Sequence, residues 1–154
     1  MLKTAIIMGS TSDLPVVQPA IDILGRFGVP NSVHIYSAHR TPDELADFAK
    51  AAISEGYGTI ICAAGKAAAL PGAVAAHTTL PVIGLPIKGS FLDGLDSLLS
   101  MVQMPTGVPV ATVAVNGAEN AALLAMQILA VSDVTLREKL NNYKAQMHDR
   151  TINS

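Results

Sequence analysis

Short apolar segments alternate with longer amphipathic segments along this chain, and that alternation restricts its possible folds more than any other feature. The apolar segments end at glycine, proline or polar residues, as strands do when both faces of a sheet are covered. The segments between them carry apolar residues at helical spacing. Alternating strands and helices predict an α/β fold with a parallel sheet and right-handed crossovers. We expect about five strands, near residues 5–8, 32–36, 58–63, 81–86 and 109–115.

Helices are expected between and after these strands. The one at about 41–54 has a strong start signal, with Thr41 as N-cap, Pro42 at the first position and Glu44 at the third. The segment 120–130 is apolar on almost all sides, which indicates a helix buried over most of its surface. Residues 150–154 are expected to fray. The remaining helices are expected near residues 14–27, 72–77, 94–101 and 134–148.

The length of 154 residues indicates one domain covering the whole chain, 1–154. Half of the residues are hydrophobic and only 14% are charged, against about a quarter in a typical domain. So few charges cannot cover the surface of a small domain, which predicts that apolar surface is buried against other subunits of a homo-oligomer. The net charge of −2 offers no electrostatic basis for binding nucleic acid or an anionic membrane.

Several other classes of protein are not expected. Cys62 is the single cysteine, so neither an intrachain disulfide nor a cysteine-rich metal site is expected. The N-terminal residues have no signal-peptide pattern, and no apolar run approaches the roughly 18 residues of a membrane span. We therefore expect the protein in the cytoplasm.

Three polar or small-residue loops follow the first three predicted strands: a first loop at 9–13, a second loop at 37–40 and a third loop at 64–72. Ligands bind to parallel sheets at the carboxyl ends of the strands, so these loops predict one composite site. The first loop combines glycine and hydroxyl groups with a helix N-terminus, which suits an anion. An ordinary N-cap explains the same residues equally well.

The second loop carries the strongest chemical signal. His39 has the side chain used most often as a general acid or base, and Arg40 suits a phosphate or carboxylate. A loop histidine that only caps a neighbouring group is the alternative, and the position between Ser37 and Arg40 after a strand argues against it. The small residues of the third loop permit close approach of a ligand to the backbone, but tight helix packing explains them at least as well.

The whole set of motifs resembles the class I PurE family, the N5-carboxyaminoimidazole ribonucleotide mutases of purine biosynthesis. The resemblance covers nearly the whole chain in order. The matching segments are Met8-Gly9-Ser10-Thr11-Ser12-Asp13, Ser37-Ala38-His39-Arg40-Thr41-Pro42, Leu70-Pro71-Gly72, Asp96-Ser97-Leu98, Val102-Gln103-Met104-Pro105 and Asn120-Ala121-Ala122-Leu123-Leu124-Ala125.

The resemblance implies a flavodoxin-like, doubly wound three-layer α/β/α sandwich. It also implies an octamer with active sites between subunits, in which the helix at 134–148 packs on a neighbour. The implied activity is an isomerase that moves a carboxyl group from the exocyclic nitrogen to ring carbon 4 of an aminoimidazole ribonucleotide, through a trapped CO₂. No metal, ATP, biotin or other cofactor is implied.

Residue roles follow from the same resemblance. His39 corresponds to the general acid/base, and Ser10, Asp13 and Arg40 to substrate contacts. Phosphate donors would be Ser12, Ser37 and Arg40, while Asp13 would accept from the ribose hydroxyls, because a carboxylate would repel phosphate. The remaining residues expected to bind substrate are Gly9, Ala38, Gly65, Lys66 and Leu70.

The third loop departs from the usual family pattern Gly-Gly-Ala-Ala-His-Leu-Pro-Gly. Lys66 replaces the second glycine and Ala69 replaces the histidine. The departure is either a tolerated variant or a change at the carboxylate end of the site, with Lys66 supplying a positive charge or merely extending into solvent. Two other functions stay open: direct CO₂-dependent carboxylation of aminoimidazole ribonucleotide, and a non-catalytic nucleotide-binding module on the same fold.

Overall fold

A computed structural model describes all 154 residues. Its centre is a five-stranded, entirely parallel sheet with the strand order β2-β1-β3-β4-β5. This order reverses direction once and is the flavodoxin-like, doubly wound arrangement. The strands are β1 (Lys3–Met8), β2 (Asn31–Ile35), β3 (Tyr57–Gly65), β4 (Val82–Ile87) and β5 (Ala111–Thr112).

Helices connect the strands, and a 3₁₀ turn at Thr11–Asp13 precedes the first of them. None of the helices is both long and apolar enough to cross a lipid bilayer. The helices are α1 (Leu14–Phe27), α2 (Pro42–Ala51), α3 (Leu70–Ala75), α4 (Leu95–Val102), α5 (Ala118–Leu129) and α6 (Val134–Ile152).

Most elements lie where the sequence predicts them, with differences at their ends. The predicted fifth strand, 109–115, is reduced to Ala111–Thr112. Pro109 has no backbone N–H group to donate to β4. Beyond Thr112, two isolated backbone hydrogen bonds connect the segment to β4: Val113 N–H donates to the Gly84 carbonyl at 3.1 Å, and Asn116 N–H donates to the Pro86 carbonyl at 2.8 Å. The last helix continues to Ile152, so the predicted frayed tail at 150–154 is mostly helical.

The sheet separates two apolar layers, which follow from the alternation of side chains along a strand. Ile6 and Met8 of β1 face α1, α5 and α6, whereas Ala5 and Ile7 face α2 and α3. Residues with the same orientation on β3 continue each layer. The three-layer sandwich is thus confirmed, and the apolar helix α5 lies in the larger of its two cores.

Helix α6 packs on its own chain through its first half. Asp133 caps it, accepting a 2.9 Å hydrogen bond from Leu136 N–H. Leu136 and Leu140 are buried in the core formed with α1 and α5, and the rings of Tyr143 and Phe27 meet edge to face at 5.7 Å. Met147 on the same stripe is half exposed. Packing of the outer half on a neighbouring subunit stays a prediction.

Candidate active site

Three loops meet at the carboxyl edge of the sheet because β2, β1 and β3 are adjacent. Each of these strands ends at this edge and leads into one of the loops predicted to form the site. Between them lies a cleft of about 160 Å³. It is lined by Gly9, Ser10, Asp13, Ser37, Ala38, His39, Arg40, Ala64, Gly65, Ala67, Ala69 and Leu70.

The first loop is organised by the Ser10 side chain. The Ser10 Oγ accepts a hydrogen bond from Ser12 N–H at 3.3 Å and another from the Ser12 hydroxyl at 3.0 Å. Ser10 therefore caps the 3₁₀ turn, as the N-cap interpretation predicts, while its own hydroxyl hydrogen stays available to a ligand. Ser12 is directed to Ser10 and does not line the cleft, and its expected direct contact with substrate stays a prediction.

Asp13 lines the cleft at the start of α1 and is only partly exposed. Burial raises the pKa of its carboxyl group, and a hydrogen bond with the Ser10 backbone lowers that pKa by a smaller amount. Desolvation disfavours the charged form of a carboxyl group. The partly desolvated Asp13 carboxylate lies beside two loops that carry hydroxyl groups, and it is a strong hydrogen-bond acceptor for a polar ligand.

The second loop is a tight turn closed by hydrogen bonds at its base. Ser37 N–H donates to the Thr41 hydroxyl at 2.8 Å, and that hydroxyl donates to the Ser37 carbonyl at 3.2 Å. Arg40 N–H donates to the Ser37 Oγ at 3.1 Å. The turn places His39 and Arg40 at its exposed tip, facing the cleft.

Thr41 does not act as the predicted side-chain cap of α2. It occupies the N-cap position but makes no side-chain hydrogen bond to the first turn of the helix. Its hydroxyl is engaged by the Ser37 backbone instead, so it stabilises the second loop and not the helix. The sequence was correct about where α2 starts, but Thr41 does not make the hydrogen bond expected of an N-cap side chain.

The third loop supplies the apolar wall of the cleft. Gly65 lies against β4, where a Cβ atom would come within 3.5 Å of the Ile87 carbonyl oxygen. A Cβ atom at that distance would make an ordinary contact, so packing does not require glycine here, and Gly65 also lines the cleft. Lys66 is exposed, does not line the cleft and has a left-handed backbone with φ of 53°. This conformation is unfavourable for a residue with a Cβ atom.

Of the residues predicted to form the site, all except Ser12 and Lys66 line the cleft. Ala64, Ala67 and Ala69 also line the cleft, although none of them is among the residues expected to bind substrate. Alanine offers no functional group that would single it out, and only its position beside Gly65 and Leu70 indicates a place in the wall.

A family model described as AIR carboxylase matches residues 3–150, nearly the whole chain. The chain belongs to the AIR carboxylase family. Membership confirms the resemblance on which the expected residue roles rest.

Relatives within the AIR carboxylase family carry two different names. The N5-carboxyaminoimidazole ribonucleotide mutase of Pyrococcus horikoshii is 56% identical over 142 residues, which cover 92% of this chain and 80% of that protein. The chloroplastic phosphoribosylaminoimidazole carboxylase of Vigna aconitifolia is 53% identical over 95% of this chain, but the match spans only 26% of that longer protein. A crystal structure of Treponema denticola PurE superimposes with a TM-score of 0.87 at 28% identity, covering 97% of this chain and 94% of that one.

Proposed function

We propose that this protein is an isomerase of purine biosynthesis that converts N5-carboxyaminoimidazole ribonucleotide to 4-carboxyaminoimidazole ribonucleotide. The observation that carries the proposal is the meeting of His39, Arg40 and Asp13 from separate loops in one cleft of a chain whose relatives of similar length are named as this mutase. Direct carboxylation by CO₂ is not favoured, because the relatives matched over most of their length are named as the mutase, whereas those named as carboxylases are matched over only 26% of theirs.

The polar end of the cleft binds the ribonucleotide. Arg40 and the hydroxyls of Ser10 and Ser37 donate to the phosphate, since these groups suit a dianion. Ser12 acts indirectly by orienting Ser10, because its hydroxyl donates a hydrogen bond to Ser10 Oγ at 3.0 Å. Asp13 accepts hydrogen bonds from the ribose hydroxyls. Gly9, Ala38 and Leu70 complete the walls.

His39 moves one proton in each direction. Protonated His39 gives its proton to the exocyclic nitrogen as the N–C bond breaks, the bonding pair staying on nitrogen and the carboxyl group leaving as CO₂. Ring carbon 4 then attacks the CO₂, and neutral His39 removes the proton from that carbon as aromaticity returns. The histidine ends in its starting state, so one side chain serves as acid and base without a cofactor.

The substrate has a second anionic group at its carboxylate end, and Lys66 is the cation of the third loop, which supplies the apolar wall of the cleft. Its neighbours Gly65 and Ala67 line the cleft, and its side chain forms no ion pair within the chain. We propose that the Lys66 stem folds over the apolar wall and places its ammonium group near the carboxylate, whose own burial would otherwise be unfavourable.

A single subunit does not enclose the substrate. The cleft volume of about 160 Å³ is below the roughly 300–1,000 Å³ of most small-molecule sites. We propose that a neighbouring subunit supplies the missing wall in a homo-oligomer, an octamer as the family resemblance implies, located in the cytoplasm. Such closure would also retain CO₂ between the two steps.

The test of this function is a pair of assays on purified protein. One supplies N5-carboxyaminoimidazole ribonucleotide, the other aminoimidazole ribonucleotide with bicarbonate. We expect fast turnover in the first assay and only slow reaction in the second. Efficient bicarbonate-dependent carboxylation with no use of the first substrate would identify a carboxylase instead.

The variant His39→Asn tests the assigned base. We expect a loss of kcat of at least about 10²-fold, since general acid/base groups contribute roughly 10²–10⁴, with substrate affinity within a few-fold of the parent protein. Asparagine is close in size and polarity, so the turn should keep its shape. Near-normal turnover would remove His39 from the mechanism.

A further inference from the structure

A basic groove lies between the C-terminal end of α1 and one face of α6, at the amino edge of the sheet and away from the catalytic cleft. Its cations are Arg26, Lys139 and Arg150, and its volume is about 390 Å³. No carboxylate lines it. The volume falls within the range of sites for small molecules.

The positive charge of the basic groove is not neutralised within the chain. The two ion pairs of the structure lie elsewhere, at Lys88–Asp93 and His148–Asp149. Asp22, one turn before Arg26 on α1, accepts a 2.8 Å hydrogen bond from Gln18. Three cations that line one groove without a carboxylate, in a chain with a net charge of −2, favour the binding of an anion there.

One of the three cations also has a structural role. Lys139 Nζ donates to the Phe27 carbonyl oxygen at 2.8 Å, which caps the negative end of the α1 dipole. Neither guanidinium has such a partner. Arg26 and Arg150 thus remain free to bind an anion, and guanidinium groups suit the oxygens of a phosphate.

The rest of the basic groove suits an aromatic heterocycle. Phe27 and Tyr143 line it with their rings edge to face, and the guanidinium carbon of Arg26 lies 5.9 Å from both ring centroids, so part of the lining is aromatic. Asn142 and Gln146 line the groove on the same face of α6. Their amides both donate and accept hydrogen bonds, as the edge of a base requires.

We propose that the basic groove binds a nucleoside polyphosphate at a second site, separate from the catalytic cleft. The guanidiniums hold the phosphates, and the aromatic and amide side chains contact the base. The groove lies on α6 and at the C-terminal end of α1, the opposite end of that helix from the first loop, so its occupancy does not require the proposed activity.

The experiment measures ATP binding to the full-length protein by isothermal titration calorimetry. We expect saturable binding to the parent protein, at least tenfold weaker binding to the double variant Arg26→Ala/Arg150→Ala, and unchanged binding to Arg40→Ala. Lys144→Ala is the matched control, because it removes one cation of α6 outside the groove and should change affinity less than twofold. The single variants Arg26→Ala and Arg150→Ala are titrated in the same way, and the melting temperature of each variant is measured. An unchanged melting temperature shows that weaker ATP binding does not come from loss of folding.

Four results would overturn the proposal. They are absence of ATP binding at millimolar concentration, equal binding by the double variant, loss of binding in Arg40→Ala, and binding of inorganic triphosphate as tight as that of ATP. Dissociation of the oligomer in the double variant without any ATP binding would assign the basic groove to a subunit interface, which also contradicts a nucleotide site.

Discussion

At the scale of single residues, the hydroxyl groups of the site loops have two roles. Some stabilise the loops by hydrogen bonds, and others face the cleft. Thr41 and Ser12 bond within their own loops, at 2.8 Å to Ser37 N–H and at 3.0 Å to Ser10 Oγ. His39 and Arg40 lie beyond these bonds, at the tip of the turn. The loops are thus ordered before a ligand arrives, which lowers the entropic cost of binding.

Asp13→Asn should make the protein more stable and less able to bind substrate. Because burial raises the pKa of Asp13 in the folded state, the folded protein holds that proton more tightly than the unfolded chain does. The contribution of Asp13 to the free energy of unfolding therefore falls as pH rises from the aspartate pKa of the unfolded chain to the raised pKa of the folded protein. Above that raised pKa it no longer changes with pH. Urea unfolding between pH 3 and 7 should show this fall in the parent and not in the variant. Substrate affinity should weaken roughly tenfold or more, as expected on losing hydrogen bonds to a charged group.

Lys66→Gly separates backbone strain from charge. Glycine tolerates the left-handed conformation at φ of 53°, so we expect a gain in stability of about 1 kcal/mol. If Lys66 holds the carboxylate, the same variant should have a higher KM and release more CO₂ and aminoimidazole ribonucleotide per product formed, and Lys66→Arg should restore the parent ratio.

Asp93→Gly is the control for Lys66→Gly, since Asp93 is also left-handed, with φ of 54°. It should gain less stability, because aspartate tolerates this conformation better than lysine and Asp93 pairs with Lys88 at 3.9 Å, and it should leave the product ratio unchanged. An unchanged product ratio in Lys66→Gly would show that the lysine only extends into solvent.

At the scale of elements, the edge strand β2 is held to α2 and β3 by an aromatic cluster. The ring of His34 lies 4.5 Å from that of Phe48 and stacks on Tyr36 at 5.8 Å. Its Nε2 lies 2.8 Å from Ser32 Oγ, which is in turn 2.7 Å from the Tyr57 hydroxyl. This cluster supports the strand that leads into the second loop.

His34→Phe should flatten the pH dependence of stability. Burial lowers the pKa of His34, with a smaller opposing effect of Glu55 and a further lowering by Lys3. The unfolded chain therefore takes up the proton first as pH falls below about 6.5, and the parent protein loses stability at up to about 1.4 kcal/mol per pH unit until the lowered pKa is passed. Phenylalanine keeps the stacking, and Ser32 and Tyr57 remain paired with each other.

Chemical denaturation at pH 7.5, 6 and 5 provides the measurement for His34→Phe. His77→Asn, which changes an exposed histidine, is the control and should follow the parent protein. The same slope in His34→Phe and the parent would assign the pH dependence to another group.

At the scale of the whole molecule, one apolar face has no partner within the chain. Large side chains of α4 and the loop before it are strongly exposed: Phe91 at 77%, Leu92, Leu95 and Val102 at 50% each, and Leu99 at 46%. A patch of this kind on a chain with few charges is typical of a subunit contact. It is a stronger candidate for the oligomer contact than the inner half of α6, which packs on its own core.

Leu95→Glu/Leu99→Glu should dissociate the oligomer and lower activity with it. Two charges placed in a buried apolar contact would lack partners. Light scattering after size-exclusion chromatography should show a smaller mass and circular dichroism an intact fold. Val131→Glu is the control, because Val131 is 76% exposed on another surface. An unchanged mass in the double variant would place the subunit contact elsewhere.

The sequence by itself determined the order of strands and helices, the α/β class and the three loops of the site. These depend on local patterns, namely runs of apolar residues, helical spacing and polar residues after strands. It also singled out His39, Arg40 and Asp13 as candidates for the site, because few residue types can carry this chemistry and the motifs resemble one family.

Only the tertiary structure decided which of these groups meet and what each hydroxyl bonds. Ser12 turns to Ser10 and Thr41 to Ser37, because the backbone groups nearest in space, not those predicted from a capping pattern, satisfy their hydrogen bonds. The alanines of the cleft wall, the two-residue β5 and the basic groove between α1 and α6 depend on contacts between segments far apart in the chain. Local patterns cannot encode such contacts, since each depends on how the whole chain packs.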